Sequence, residues 1–475
     1  MLKKSISWVA GGNVVRAFLQ IFFIAIISRL VTPEEFGKFA LLLVIINFTN
    51  IFNQLGLAPA IIQKKDLSTS ELSNSLVFSL FFSFGVAVIY LIIVPYYLVF
   101  FGQSTLLLYA DILAVFFPVS SLSLLLESEY KRNLNFKSVI QKNLIATTLG
   151  YGLVTILLGY LGFGIWALVI GFLAQPTVLL LSYSKRLKII FNIKFRYHLI
   201  QPLVSFGIKN TFSNLFNFLG EEGDKFLFGK FFAVDLLGAY TRSFQLYTYP
   251  SRFLGLTYDT VFFPYFSRNQ DNNNYIKQHY LVIIKLSFTI LLPVSFLLMI
   301  NSHIIINLFL GNQWHNAIPL FSILILGLAF RFGVKISKSV IKATNLVSFL
   351  IYIQLIYAII IIVGIITFNN LGYLSTPYIV VSATIVNFIL VFLLIVDKLE
   401  ISLYESIVSF LPGVLILFLL IILHTIFNYL LKIYTPLFSL FYFSVFFLVI
   451  LTTPSFFLGF SIKDARNLLT NQQIF

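Results

Sequence analysis

The sequence predicts an all-α polytopic membrane protein with about fourteen transmembrane helices, and three observations predict it. Of the 475 residues, 59% are hydrophobic and only 10% are charged. An ordinary soluble domain is roughly 25% charged, so this chain has too few polar side chains to cover a water-exposed surface. Charge-free runs of 42 residues (143–184) and 54 residues (343–396) greatly exceed the roughly 20 apolar residues that one spanning helix needs. Turn residues break each run near its middle, at Gly159–Gly164 and at Asn369–Gly372, so each reads as two helices and a hairpin.

The same reading along the whole chain places spans near 6–31, 37–61, 74–99, 105–126, 139–159, 163–183 and 204–231. Further spans follow near 237–264, 280–301, 317–341, 347–368, 374–396, 406–427 and 435–458. The seventh and eighth carry many charges. The first begins after Lys3-Lys4 but is too long for a signal peptide, contains Arg16 and lacks a small-residue cleavage site, so it is expected to be retained. With the N-terminus taken as cytoplasmic, 20 Lys and Arg fall on the cytoplasmic side. Two, Lys38 and Lys432, fall on the other, and the remaining ten lie within spans. This bias predicts that both termini are cytoplasmic. It also absorbs the net charge of +15, so nucleic-acid binding is not needed to explain it. The longest loop, 184–203, is basic and amphipathic and is expected to lie on anionic lipid. No outer loop is long enough to form a domain, nor is the tail after Phe460.

Several chemistries are excluded or disfavoured. There are no cysteines, hence no disulfide, thiolate metal site or cysteine nucleophile. The five histidines (198, 279, 303, 315, 424) lack paired metal-ligand spacing, and no GxxxxGK[ST] loop occurs. No catalytic residues, metal or cofactor are expected.

An internal repeat appears at an offset of 201 residues. The connection from Arg29 to Phe39 matches that from Lys230 to Tyr240: Arg29 with Lys230, Glu34 with Asp235, Phe36 with Leu237, Gly37 with Gly238 and Phe39 with Tyr240. The offset also carries Asn13 onto Asn214 and Gln20 onto Glu221. A six-helix unit returns the chain to its starting side, so two such lobes run parallel, and folds of this kind place the substrate between them. The expected organisation is residues 1–200 as the first lobe, 201–400 as the second, and 401–475 as two extra helices and a short tail.

Polar residues inside spanning helices are costly and usually face a water-filled cavity. Span one carries Asn13, Arg16 and Gln20; span two carries Asn47, Asn50 and Gln54. Span seven carries Asn210, Asn214, Asn217, Glu221 and Asp224, with Lys209 and Lys225 beside them. Span eight carries Arg242, Gln245, Tyr249, Arg252 and Asp259, and span ten carries Arg331, Lys335, Lys338 and Lys342. Their helical spacing lines one face in each case. Bland roles compete. Arg29 and Lys230 are expected to cap carbonyls or pair with Glu34 and Asp235. Glu127 and Glu129 are expected to pair with Lys131 and Arg132, and Lys335, Lys338 and Lys342 to act as cytoplasmic anchors. Arg16, Arg252 and Arg331 lie too deep to reach water easily.

The segment Ser28-Arg-Leu-Val-Thr-Pro-Glu-Glu-Phe-Gly-Lys-Phe-Ala-Leu41 resembles the first loop of bacterial oligosaccharide flippases. These are the Wzx-type transporters of the multidrug/oligosaccharidyl-lipid/polysaccharide superfamily. Leu55–Gln63, Tyr130–Lys137, Gly162–Leu168 and the stretches from Gly223 through Tyr240 to Phe263–Arg268 fit the same pattern. Beyond about residue 300 only hydropathy matches. The resemblance implies two six-helix lobes around a central cavity that opens alternately to each side. It implies an undecaprenyl-diphosphate-linked oligosaccharide as substrate, in the inner membrane of a bacterium, for O-antigen, capsule or exopolysaccharide. Membrane lipids, a polysaccharide polymerase and export machinery are the implied partners, with proton or sodium coupling allowed. The residues agree independently: a diphosphate needs cations in a wet path, and arginine suits phosphate geometry best.

Arg16, Asn13, Gln20, Asn47, Asn50, Lys209, Asn214, Arg242, Gln245, Arg252 and Arg331 are therefore the candidate substrate ligands. Glu221, Asp224 and Asp259 are the candidates for ion coupling. A multidrug exporter of the same superfamily and a polytopic polysaccharide-synthesis enzyme are the alternatives. The first would favour a carboxylate-dominated cavity and the second a sizeable catalytic loop.

Overall fold

A computed structural model describes residues 2–64, 66–190, 195–268, 272–344 and 346–431, and every regular element within them is helical. The first half holds α1 (Leu2–Leu30), α2 (Pro33–Gln54), α3 (Leu57–Gln63), α4 (Thr69–Phe100), α5 (Leu107–Leu113), α6 (Phe116–Arg132) and α7 (Phe136–Ile145). A π-helical stretch (Ala146–Leu153) leads into α8 (Val154–Tyr160), α9 (Ile165–Ser182) and α10 (Ser184–Ile190). Then come α11 (Gln201–Phe231), α12 (Val234–Arg268), α13 (Asn273–Ile300), α14 (Ser302–Phe309), α15 (Ala317–Leu324) and α16 (Leu328–Ala343). The series ends with α17 (Val347–Phe368), α18 (Ser375–Lys398) and α19 (Leu403–Leu431).

Eleven stretches among the described residues are long and apolar enough to cross a membrane. They correspond to predicted spans one to six and nine to thirteen. Spans seven and eight are helices of 31 and 35 residues, long enough to cross, but too polar overall to be among those stretches. The fourteenth, near 435–458, lies outside the described residues.

Local sequence sets the helix boundaries. α2 opens with a capping box: Glu35 N–H donates to Thr32 Oγ1 at 3.3 Å, and Thr32 N–H donates to Glu35 Oε2 at 2.9 Å, with Pro33 in the first turn. Ser68 and Glu71 repeat the arrangement for α4. α2 ends where Leu55 and Gly56 take left-handed φ values of 40° and 57°, which turns the chain into α3.

The described chain divides into two compact units. The first holds residues up to Thr241 together with Leu308–Trp314; the second holds Arg242–Asn307 and the residues from His315 on. The division thus falls inside α12, and α11 packs with the first unit.

In the first unit, α1 packs on α7 and α8, α4 on α6, and α9 on the π-helical stretch. Small residues allow this closeness: Gly12 faces Ile140 and Gly152 faces the Phe23 ring. An apolar cluster at the end where α2 gives way to α3 joins Leu57 and Ile61 to Leu72, Leu76, Leu126 and Leu203. The basic segment after α9 is held to the protein. Arg186 donates to Glu129, Phe195 stacks on Phe78 with centroids 6.3 Å apart, and Arg196 N–H donates to Asn74 Oδ1 at 2.5 Å. The Glu129 carboxylate raises the Arg186 guanidinium above its already high pKa. Glu127 does pair with Lys131, at 2.6 Å, but Glu129 pairs with Arg186 and Arg132 donates to the Lys64 carbonyl.

In the second unit, α13 packs along α19 and against α16, and α18 packs on both α16 and α17. Phe288 stands 5.0 Å from Phe388 and 4.8 Å from Phe410, and Gly413 lets the backbones of α19 and α13 approach. Lys277 and Glu405 join the first turns of α13 and α19 at 2.8 Å.

Candidate functional site

The candidate residues with described side chains fall into two sets, one in each unit. Lys209, Asn214, Arg252 and Asp259 have side chains outside the described residues.

Arg16 is the most telling member of the first set. It sits 14 residues from either end of α1, hence about 21 Å along the helix from each. Asn13 and Gln20 flank it within a sector of about 60° on the helical wheel, beside the face that packs through Gly12 and Phe23. None of the three has a hydrogen bond or ion pair to any described residue, and Arg16 Nε is buried without a partner.

On α2, Asn47 Nδ2 reaches Glu222 Oε1 of α11 at 3.5 Å, and Asn50 Oδ1 accepts from Asn53 at 3.2 Å. Glu222 in turn holds Lys225 at 2.7 Å, while Glu221 is exposed. The stripe drawn through Asn217, Glu221 and Asp224 missed Glu222, which lies one residue off it; its spacing of three from Lys225 is the signal that could have found it. Asp224 is 2% exposed, and its Oδ2 accepts from the Tyr240 hydroxyl of α12 at 2.5 Å.

The matched turns of the repeat occupy matching places. Gly37 lies against the Val234 carbonyl, and Gly238 lies against the Pro33 carbonyl; Val234 and Pro33 are themselves 201 residues apart. Arg29 donates to the Leu308 carbonyl at 2.6 Å, and Lys230 donates to the Phe100 carbonyl at 2.8 Å. Both cations thus cap carbonyls near helix C-termini, while Glu34 pairs with Lys38.

In the second unit, Arg242 is buried and donates to Gln245 Oε1 at 2.5 Å, and Gln245 donates to Tyr249 at 2.8 Å. The Arg331 guanidinium lies 5.4 Å from the centroids of both Phe244 and Tyr247. Below it, Lys335 donates to the Ser251 carbonyl at 2.9 Å and Lys338 to Gln354 at 3.3 Å. Among the described residues, no group of three or more His, Cys, Asp or Glu side chains could hold a metal ion. Chemically, the arrangement offers guanidinium and carboxamide groups at mid-helix depth, suited to an anionic head rich in hydroxyls.

Comparison with known proteins finds a matching family model and similar chains. A family model described as "Polysaccharide biosynthesis protein" matches residues 26–319. The teichuronic acid biosynthesis protein TuaB of Bacillus subtilis is 24% identical over 67% of this chain and 66% of its own length. The lipopolysaccharide biosynthesis protein WzxC of Escherichia coli is 22% identical over 68% and 66%. The chain thus spans just under two thirds of the length of these curated relatives. Among solved structures, the lipid II flippase MurJ in an inward closed conformation superposes with a TM-score of 0.74 at 16% identity, covering 94% of this chain and 98% of the other. An inward-facing multidrug resistance MATE transporter gives 0.61 at 15% identity, covering 82% and 98%. These likenesses show a polytopic, all-helical fold, and the family match, over more than half of this chain, shows that this multi-pass membrane chain belongs to the polysaccharide biosynthesis protein family.

Proposed function

We propose that the protein is a flippase. It moves undecaprenyl-diphosphate-linked oligosaccharide from the cytoplasmic to the outer leaflet of the bacterial inner membrane, by alternating access through a cationic cavity. The carrying observation is Arg16: a guanidinium midway along a spanning helix, flanked by two carboxamides, with no partner in the described protein. A charge so placed costs several kcal/mol at the bilayer centre on most scales, and a diphosphate is the counter-ion that suits it. Asn13, Gln20, Asn47 and Asn50 supply donors and acceptors for sugar hydroxyls. Arg242, Gln245 and Arg331 are further candidate ligands of such a headgroup, and the sequence adds Lys209, Asn214 and Arg252. At least one of Glu221, Asp224 and Asp259 carries a coupling proton or sodium ion. Polysaccharide polymerase and export machinery are the partners that take up the product.

The test is reconstitution. Proteoliposomes containing the purified chain should expose a labelled polyprenyl-diphosphate oligosaccharide to an external glycosidase faster than protein-free vesicles do. Cationic-dye accumulation without oligosaccharide movement would instead identify a drug exporter.

The topology is testable separately. Reporter fusions at residues 69, 134, 190, 271 and 470 should report cytoplasm, and fusions at 103, 161, 312 and 371 the outer side. An outward signal at 470 would require an odd number of spans.

A further inference from the structure

Along its middle turns α4 carries a groove of about 580 Å³, lined by its own Phe78, Phe81, Phe82, Gly85 and Ile89 and by Phe195 of the basic segment. Gly85 is the floor: a methyl there would meet nothing within 4 Å. Phe195, Phe78 and Phe82 form one wall as a stack, with successive centroids 6.3 and 5.7 Å apart and rings tilted by 12° and 19°. Phe81 is 68% exposed, so the groove opens sideways from a spanning helix, toward hydrocarbon. From Phe78 to Ile89 it runs about 16 Å along α4, close to half of the roughly 30 Å hydrocarbon thickness and hence to the depth of one leaflet. One end of the groove is polar. Asn74, one turn before Phe78, accepts the Arg196 N–H and fixes Arg196 beside that end. The Arg196 side chain is exposed and bonds to no described residue. The stretch 184–203 that holds it contains five Lys and Arg and no acid, and of these Arg186 is already taken by Glu129. Tyr197, half exposed, adds an amphipathic ring of the kind found at headgroup level.

We propose that this groove and Arg196 form a site for one anionic phospholipid of the leaflet on the side of the basic segment. An acyl chain lies over Gly85 and along the phenyl stack, and the phosphate meets the Arg196 guanidinium at the polar end. Three features separate the site from ordinary lipid around a helix. A chain against a smooth helix is touched on one side only, whereas the notch at Gly85 and the Phe195 ring enclose it and add dispersion contacts. A glycine inside a helix costs stability and usually marks close packing on another helix; Gly85 has no such neighbour, and its missing side chain leaves room for a ligand. The Arg196 backbone is held at one height by Asn74, so head and tail are recognised together through a charge-assisted contact and an apolar one. The groove is one leaflet deep, which suits an acyl chain and not the far longer polyprenyl chain of the proposed substrate.

The site does not depend on the transporter reading, and its test measures no transport. The chain contains no cysteine, so a single Val88→Cys beside the groove, or Ile359→Cys on the exposed face of α17 as a control, can carry a bimane. Each full-length chain is reconstituted in mixtures of phosphatidylcholine and tail-brominated phosphatidylglycerol, whose bromines quench a bimane that they touch. The label at 88 should favour phosphatidylglycerol about fivefold, the ratio that one cation near the membrane surface is worth, and the label at 359 should show no preference. Adding Arg196→Ala should abolish the preference at 88. Adding Gly85→Leu, whose Cβ meets no protein atom within 4 Å, should abolish it as well by filling the groove. Equal behaviour at 88 and 359, or a preference at 88 that survives either substitution in folded protein, would overturn the site. Should one substitution prevent folding, the other and the comparison of 88 with 359 still decide. If unbrominated polyprenyl diphosphate relieved the quenching at 88 at a far lower mole fraction than unbrominated phosphatidylglycerol, the groove would belong to the substrate's tail and the phospholipid would be overturned. A negative flipping assay would refute the transport reading and leave the lipid site standing.

Discussion

Arg16→Ala is expected to lower oligosaccharide flipping by roughly 10- to 100-fold while the protein still inserts and folds at normal abundance. The magnitude follows from losing a charge-assisted hydrogen-bond contact to phosphate, worth about 1.5–3 kcal/mol. The unchanged abundance follows from geometry: Arg16 bonds to no described residue, so its removal orphans no group, and losing a mid-bilayer charge eases insertion. Arg16→Lys should recover part of the rate, because it keeps the charge and loses the bidentate fork. Arg252→Ala should behave alike if both arginines address one diphosphate. Lys38→Ala, which breaks only the partly exposed pair with Glu34, is the near-silent control. Full flipping by a normally expressed Arg16→Ala variant would remove the phosphate role. Low abundance with restoration by a second-site acid change would make Arg16 structural.

Asp224→Ala is expected to destabilise the protein by about 2–4 kcal/mol, read as a lowered thermal midpoint in detergent. It removes the hydrogen bond between the fully buried Tyr240 hydroxyl and this carboxylate, together with the carboxylate that faces the Lys225 amide. Asp224→Asn keeps an acceptor oxygen of similar shape and should restore most of that stability. The two variants together separate the possible roles of this carboxylate. If Asp224 carries the coupling ion, the stable Asn variant flips with no dependence on pH or sodium. If the ion dependence survives in Asp224→Asn, the carboxylate is a structural link between α11 and α12, and Glu221 or Asp259 must take the coupling role.

Much of the fold was legible because crossing a bilayer is a demand on composition and length. The charge-free runs predicted α8, α9, α17 and α18 and both hairpins between them. The span expected at 37–61 is instead α2, opened at Pro33 by the Thr32–Glu35 cap and ended at Gln54, and then α3 after the left-handed turn at Leu55 and Gly56. The polar stripe on α1 was also readable, since Asn13, Arg16 and Gln20 need only helical spacing to share a face. Glu222 was not readable in the same way. Its importance comes from Asn47 on another helix, 175 residues away, and periodicity along α11 favoured Glu221 instead.

The sequence by itself determined that the chain is a bundle of spanning helices, where most of them begin and end, and that two connections are variants of one motif. Those properties are sums over neighbouring residues: hydropathy over a window, charge in a loop, a cap three residues from its partner. Only the tertiary structure decided that Arg29 caps a carbonyl 279 residues away, that Lys230 caps one 130 residues away, and that Glu129 takes Arg186 rather than its neighbour Arg132. It alone decided that Gly37 and Gly238 stand against each other's turns. Such contacts depend on the rotation and axial shift of one helix against another. In a nearly uniform apolar sequence those are set by where small residues let backbones approach, and no local window records that.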